Sequence, residues 1–205
     1  MALAVITVGI LQQLLPEDFR TAPFLFYLYP LVLTGFLIVL MIGDPGRIDR
    51  DRKWLRVTSA AMVAFLTFGT ALATIRLVLG ILRNASFDSA GQLLTIGLII
   101  WVTNVIAFAL WYWDFDAGGP AARAVGRTDV RPSFVFPEMS LPQYVEPGWY
   151  PYFVDYLALS FNTGLAFSPT DVSAIRRWAK VLMILESMIS LTLAALVLAR
   201  AINIL

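Results

Sequence analysis

The sequence has 205 residues, of which 59% are hydrophobic and 14% charged, and its net charge is +1. Soluble domains are closer to half apolar and a quarter charged, so a chain this apolar is expected to lie in lipid. Histidine and cysteine are both absent, which excludes disulfides, thiolate and imidazole metal sites and Ser-His-Asp hydrolases, so we expect neither an enzyme nor a cofactor.

The N-terminal segment, residues 1–23, is predicted to be an interfacial or partly inserted helix. Its apolar part ends at Leu15, whereas a membrane span needs roughly 20 residues. Pro16, Glu17 and Arg20 then interrupt it. The segment also lacks the basic start of a signal peptide.

Four long apolar stretches are predicted to cross the membrane. They are residues 24–42, 57–82 and 93–113 in the first part of the chain (24–113), and residues 178–205 at its end. A polar loop rich in Pro, Gly and Arg, residues 114–150, lies between the two groups.

The C-terminal part, residues 151–205, opens with a shorter apolar segment, residues 152–167. This segment carries Asp155 and Asn162 and is too short to cross a bilayer comfortably. The predicted fold is therefore all-α and polytopic, with about four transmembrane helices plus a re-entrant or interfacial segment.

The basic residues indicate an orientation. Eleven of the fifteen Lys and Arg residues lie in loop 44–56 or in segment 114–180, and two predicted spans separate these regions, which places them on one side. The positive-inside rule makes this side cytoplasmic, so we expect a multi-pass protein of the plasma or inner membrane with loops 44–56 and 114–150 in the cytoplasm.

From these basic groups we expect the lipid bilayer to be a partner. We do not expect nucleic acid to be one. Arg176, Arg177 and Lys180 stand around the start of the last predicted span. They are interpreted as topology determinants that can also contact anionic lipid headgroups.

The stretch from Asp155 to Asn203 has an order that is typical of a pore. A short aromatic-flanked helix leads into a polar turn and then a long apolar helix, and Ser160, Phe161 and Thr163 lie on the short helix. With residues 93–113 as an outer helix, the sequence resembles the pore module of tetrameric potassium-type ion channels. The resemblance covers roughly the last fifty residues and implies a homotetramer that conducts ions.

The filter of that family is replaced here. Ser168, Pro169 and Thr170 stand where the family has Gly-Tyr-Gly, and proline fixes φ and removes an N–H group. Thr163, Ser168, Pro169, Thr170 and Asp171 are therefore candidate pore or filter-like residues of a channel without the usual potassium selectivity.

The same residues also suit the start of a helix. Ser168 is a good N-cap, Pro169 suits the first helical position, and Asp171 follows as the acidic residue of an S-x-x-D pattern. Both interpretations are open at this stage.

Glu186 is the most unusual residue of the last span. A carboxylate at this depth costs roughly 2.5–3.5 kcal/mol on insertion scales, so it should face protein or water. It is either a pore or proton-relay group or a buried group that is protonated or hydrogen-bonded to neighbours such as Asn104 or Ser187. Asn104 and Asn162 are interpreted as interhelical hydrogen-bonding residues.

Two functions are compatible with this pattern. The first is an ion-channel-like membrane protein, as the resemblance implies. The second is a non-catalytic accessory or structural subunit of a larger membrane complex, since chemical groups are few and the aromatic residues, 13% of the chain, suit contacts with protein or lipid.

Overall fold

The computed structural model describes residues 1–20, 28–43, 53–83, 87–127, 129–166 and 171–204. These residues form the helices α1 (Ala2–Leu14), α2 (Leu28–Gly43), α3 (Lys53–Leu82), α4 (Ala90–Phe115), α5 (Pro120–Ala124), α6 (Pro137–Ser140), α7 (Phe153–Ala166) and α8 (Arg177–Ile204). Two-residue strands, β1 (Phe134–Val135) and β2 (Ser173–Ala174), pair antiparallel. Short 3-10 turns lie at Glu17–Phe19, Asp116–Gly118 and Pro142–Tyr144. The all-α prediction is confirmed.

Three of the described helices are long and apolar enough to cross a membrane. They span Trp54–Leu82, Ala90–Gly118 and Arg177–Ile204, which supports the prediction of a multi-pass membrane protein. The predicted first span, 24–42, corresponds to α2, whose sixteen described residues are apolar but shorter than these three helices. The fourth span is therefore not among the long helices.

The helix α4 forms the centre of the bundle and packs against α1, α3, α7 and α8. Of its most apolar stretch 72% is buried inside the protein, against 39% for α3 and 28% for α8. Small residues let neighbours approach: a Cβ atom on Gly97 would lie 2.9 Å from Cγ1 of Val197 on α8. The helices α3 and α8 thus form the perimeter around α4.

Consecutive long helices run in opposite directions. Ser59, near the start of α3, donates a hydrogen bond of 3.0 Å to Oδ1 of Asp114, near the end of α4. The ring of Phe115 lies 5.8 Å from that of Trp178 at the start of α8. The start of α3, the end of α4 and the start of α8 therefore share one end of the bundle, which we call the basic end. It carries Arg56, Arg123, Arg176, Arg177 and Lys180.

The first helix lies along the bundle. Val5 and Val8 are buried in a cluster with Ile106 and Leu110, whereas Leu15 is buried in a cluster with Leu93, near the start of α4. The structure thus places α1 beside the length of α4. That residues 1–23 are interfacial or partly inserted stays a prediction.

The helix α7 starts at the basic end and stops halfway along α4. The ring of Phe153 at its start lies 6.1 Å from that of Trp113. Near its other end, the ring of Phe161 lies 5.4 Å from that of Trp101, in the middle of α4. The next described residues are back at the basic end, where β2 pairs with β1.

Candidate functional site

The carboxyl group of Glu186 joins three helices inside the bundle. Its side chain is completely buried. The Tyr112 hydroxyl of α4 donates a hydrogen bond of 2.5 Å to Oε2, and the Ser160 hydroxyl of α7 contacts Oε1. Ser160 Oγ also lies 2.7 Å from the carbonyl oxygen of Val105. We call Tyr112, Ser160, Glu186 and the Val105 carbonyl the Glu186 cluster.

Helical spacing brings these groups to one place. The buried residues of α7 include Tyr156, Ser160, Thr163 and Gly164, which share one face of the helix. The buried residues of α8 recur every three or four positions, and Glu186 and Ser190 belong to that stripe. Both stripes face α4, so the polar residues on them are turned away from lipid.

A second buried carboxyl, that of Asp116, lies nearer the basic end. Its Oδ1 accepts hydrogen bonds from the backbone N–H groups of Ser133, at 2.5 Å, and Phe134, at 3.4 Å. Its Oδ2 accepts a bond of 2.6 Å from the Tyr156 hydroxyl of α7. Asp116 thereby ties the end of α4 to β1 and to α7.

Arg123 of α5 completes this region. Its Nη1 donates to the carbonyl of Asp116 at 2.6 Å and its Nη2 to the carbonyl of Trp113 at 2.7 Å. Its guanidinium lies 4.9 Å from the centre of the Tyr156 ring. Burial lowers the pKa of the Arg123 guanidinium, although arginine stays charged in proteins. A cation bonded to the last carbonyls of α4 stabilises that helix end. We call Asp116, Arg123, Tyr156, Ser133 and the Phe134 N–H group the Asp116 cluster.

Phe134 lies between the two clusters. Its ring is 5.1 Å from that of Tyr112, 6.3 Å from that of Tyr156 and 5.9 Å from that of Trp178. Tyr112 belongs to the Glu186 cluster and Tyr156 to the Asp116 cluster. The helix α7 is therefore held at two levels, with an aromatic layer between them.

The structure gives Glu186 hydrogen-bond partners that the sequence did not identify. Among the described residues, its carboxyl contacts Tyr112 and Ser160 rather than Asn104 or Ser187, the neighbours that one interpretation of the sequence suggested. Ser187 Oγ lies instead 3.4 Å from the carbonyl of Thr163. Asn104 is buried on α4, and its Nδ2 atom has no hydrogen-bond partner among the residues that the structure describes.

The candidate filter residues do not lie together in the described structure. Ser168, Pro169 and Thr170 lie outside the described residues. Thr163 is buried, and its hydroxyl donates to the carbonyl of Leu159 at 2.8 Å. Asp171 is exposed. It lines an open hollow of about 540 Å³ beside Lys180 and Met183.

The remaining predicted residues lie at or near surfaces. Arg176 donates from Nη2 to the carbonyl of Arg131 at 3.1 Å, while Arg177 and Lys180 are exposed at the start of α8. Asn162 is half-buried on α7. None of these residues belongs to the Glu186 cluster.

Sequence reasoning found Glu186 and missed most of its surroundings. Tyr112 is 74 residues and Ser160 is 26 residues from Glu186, which local spacing cannot connect. The missed Asp116 cluster had a weaker signal: Asp116 and Arg123 lie in a segment that the sequence assigned to a polar loop. Tyr156 shares a helical face with Ser160, and that spacing could have indicated a buried pair.

In the part of the chain that the structure describes, no group of three or more acidic, His or Cys residues could hold a metal ion. No protein-family model, no curated protein and no solved structure matches this chain. The geometry of the two clusters and of α7 is therefore the basis for a functional proposal.

Proposed function

We propose that this chain is an ion-channel-like membrane protein in which α4, α7 and α8 form a pore module. The observation that supports this is the path of α7, which leaves the basic end and stops halfway along α4, while the next described residues, from Asp171 onward, lie at the basic end again. In a membrane, such a segment would be re-entrant. The helices α4, α7 and α8 would then be the outer, pore and inner helices.

The length of α7 agrees with this arrangement. Its fourteen residues extend about 21 Å at 1.5 Å per residue, whereas the hydrocarbon core is about 30 Å thick. Its last carbonyl groups have no partners within the helix. Backbone that ends at membrane depth must be covered by protein or lie in a water-filled cavity.

The last two residues of α7 are exposed in the single chain. Leu165 has 60% of its surface exposed, and Ala166 is exposed as well. Other copies of the chain around a central water-filled path would meet the requirement of this helix end, and the resemblance to potassium-type pore modules implies four copies. The negative end of the α7 dipole would face that path and favour a cation.

Ion flux into liposomes that contain the purified protein tests the proposal. We expect the wild-type protein to pass monovalent cations, and Ala166→Trp at the end of α7 to reduce the flux strongly because the larger side chain fills the path. Val154→Trp is the matched control, since Val154 is 64% exposed at the start of the same helix. Absence of flux, or equal losses in both variants, would count against a pore.

The oligomeric state is a separate test. Particle images of the protein in lipid should show a symmetric assembly with the ends of four α7 helices around one axis. A monomer in lipid, or an assembly in which the end of α7 faces the outside, would contradict the pore module.

One observation favours the accessory subunit as a second candidate. The exposed side of α8 is largely apolar and includes Ile184, Met188, Leu191 and Leu198. Such a side can pack against the helices of another membrane protein as well as against lipid. Copurification with other subunits in a fixed ratio, together with no flux from the isolated chain, would favour this candidate.

A further inference from the structure

The hydrogen atoms of the Glu186 cluster do not suffice if Glu186 is a carboxylate. Ser160 Oγ contacts two oxygen atoms, Oε1 of Glu186 and the carbonyl oxygen of Val105. A serine hydroxyl carries one hydrogen atom, whereas carboxylate and carbonyl oxygens are acceptors only. The single hydrogen would then have to be shared between two acceptor oxygens, which weakens both contacts and brings oxygen lone pairs together.

The missing hydrogen has one source within the cluster. The carbonyl of Val105 carries none, and the hydrogen of the Tyr112 hydroxyl lies in the bond to Oε2. We propose that Glu186 is a neutral carboxylic acid whose bound proton is part of the folded structure. The Tyr112 hydroxyl then donates to Oε2, the Glu186 acid group donates from Oε1 to Ser160, and Ser160 donates to the Val105 carbonyl.

The surroundings of Glu186 agree with a neutral acid. Within the described chain, the groups that interact with its carboxyl are the Ser160 and Tyr112 hydroxyls, and no Lys or Arg side chain is among them. An unpaired charge in an apolar interior is far more costly than a neutral group with satisfied hydrogen bonds. Asp116 differs, because two N–H groups and a hydroxyl donate to its carboxyl.

This bound proton has a structural consequence. Each of these three hydrogen bonds joins two helices: Tyr112 joins α4 to α8, Glu186 joins α8 to α7, and Ser160 joins α7 back to α4. The proton therefore closes a ring of contacts that fixes the depth of α7. This inference is independent of the proposed pore, because it concerns how α7 is held and not what passes beside it.

Infrared spectroscopy of the protein in lipid at neutral pH tests the proton directly. The chain has four glutamates, Glu17, Glu138, Glu146 and Glu186, and Glu186 is the completely buried one. We expect a protonated-carboxyl C=O band that shifts when glutamate alone is labelled with ¹³C and that is lost in Glu186→Gln. A spectrum without a glutamate-derived acid band, or a band that persists in Glu186→Gln, would overturn the proposal. The isotope shift is measured on the wild-type protein, so this result does not depend on folding of the variant.

Thermal unfolding gives a second measurement. The Gln side chain can accept from Tyr112 and donate to Ser160, as the neutral acid does, so Glu186→Gln should unfold close to the wild-type temperature. Glu186→Ala should lower the unfolding temperature by several degrees because both hydroxyls lose their partner. Glu146→Gln, at an exposed site, is the control. If Glu186→Gln lowered the unfolding temperature as much as Glu186→Ala does, the result would contradict an acid group that donates to Ser160.

Discussion

At the residue scale, the Tyr156 hydroxyl connects α7 to the end of α4. It is completely buried and its bond to Asp116 joins residues 40 positions apart. If one partner is removed, the other stays buried without a hydrogen bond. The free-energy penalty of that unsatisfied group is larger than the net stability that the hydrogen bond contributes. Tyr156 is therefore expected to be important for the attachment of α7.

We expect Tyr156→Phe to lower the free energy of unfolding by about 1–3 kcal/mol, because a carboxyl oxygen loses its donor in a buried site. Tryptophan fluorescence during thermal unfolding in detergent measures the change. Tyr144→Phe is the control, since Tyr144 is 79% exposed and should unfold as the wild type does. Equal stability of both variants would show that the Tyr156 bond is not needed.

Arg123 supports a prediction about side-chain shape. Its planar guanidinium donates to two carbonyl groups at once, whereas a lysine ammonium is a compact point charge. We expect Arg123→Lys to reduce stability measurably although the charge is kept. Arg127→Lys is the control, because Arg127 forms an exposed pair with Asp129 and such pairs contribute little. Wild-type unfolding of Arg123→Lys would contradict a capping role.

At the element scale, the packing of α8 on α4 depends on small residues. Val197 is β-branched and has little rotational freedom in a helix, so it cannot move away from an added methyl group at Gly97. We expect Gly97→Ala to destabilise the protein by about 1–3 kcal/mol through overpacking.

Gly35→Ala on α2 is the matched control for this prediction. A Cβ atom at Gly35 would meet nothing within 4 Å, so the change should be neutral or slightly stabilising, because alanine favours a helix more than glycine does. The unfolding temperatures of the two variants should therefore differ by several degrees. Equal unfolding temperatures would mean that α4 and α8 are less closely packed at Gly97 than the structure shows.

The long helices were predictable because each contains a long run of predominantly apolar residues. The predicted span 57–82 corresponds to Lys53–Leu82, 93–113 to Ala90–Phe115, and 178–205 to Arg177–Ile204. The folded structure within 114–150 was not predictable in this way. There, β1 pairs with β2 and Asp116 binds the backbone of Ser133, and contacts between such distant residues have no local periodic signal.

The candidate site was predictable only in part, for a related reason. Glu186 is conspicuous because a carboxyl group inside an apolar run is costly. Tyr112 and Ser160 are ordinary residues for an aromatic-rich helix and for a short polar-faced helix. Their role depends on the antiparallel arrangement of α4 and α8 and on the halfway depth of α7, which the sequence alone does not supply.

At the scale of the whole molecule, the arrangement of the helices predicts which residues share a side of the membrane. The chain contains no cysteine, so single introduced cysteines can be labelled without a background. We expect Tyr144→Cys and Ser173→Cys to react with an impermeant reagent from the same side, which the positive-inside rule makes cytoplasmic. Asp88→Cys, near the start of α4, should react from the opposite side.

Labelling at these three positions distinguishes a re-entrant α7 from an α7 that crosses the membrane. All three residues are exposed, and α7 lies between positions 144 and 173. Labelling of position 173 from the same side as position 88 would mean that α7 crosses the membrane, and the pore module would then be excluded. Labelling of all three positions from one side would contradict the antiparallel order of α3, α4 and α8 in a bilayer.

The ring of bonds around Glu186 also sets an order for biogenesis. Tyr112 and Ser160 leave the ribosome before Glu186, which belongs to the last helix of this sequence. Until α8 has been inserted, both hydroxyl groups lack their partner on Glu186, and the side of α4 that α8 covers remains in contact with lipid. Chains that are truncated before α8 should therefore be recognised by quality-control proteases. Chains that include α8 can form the Glu186 hydrogen bonds and pack α8 against α4.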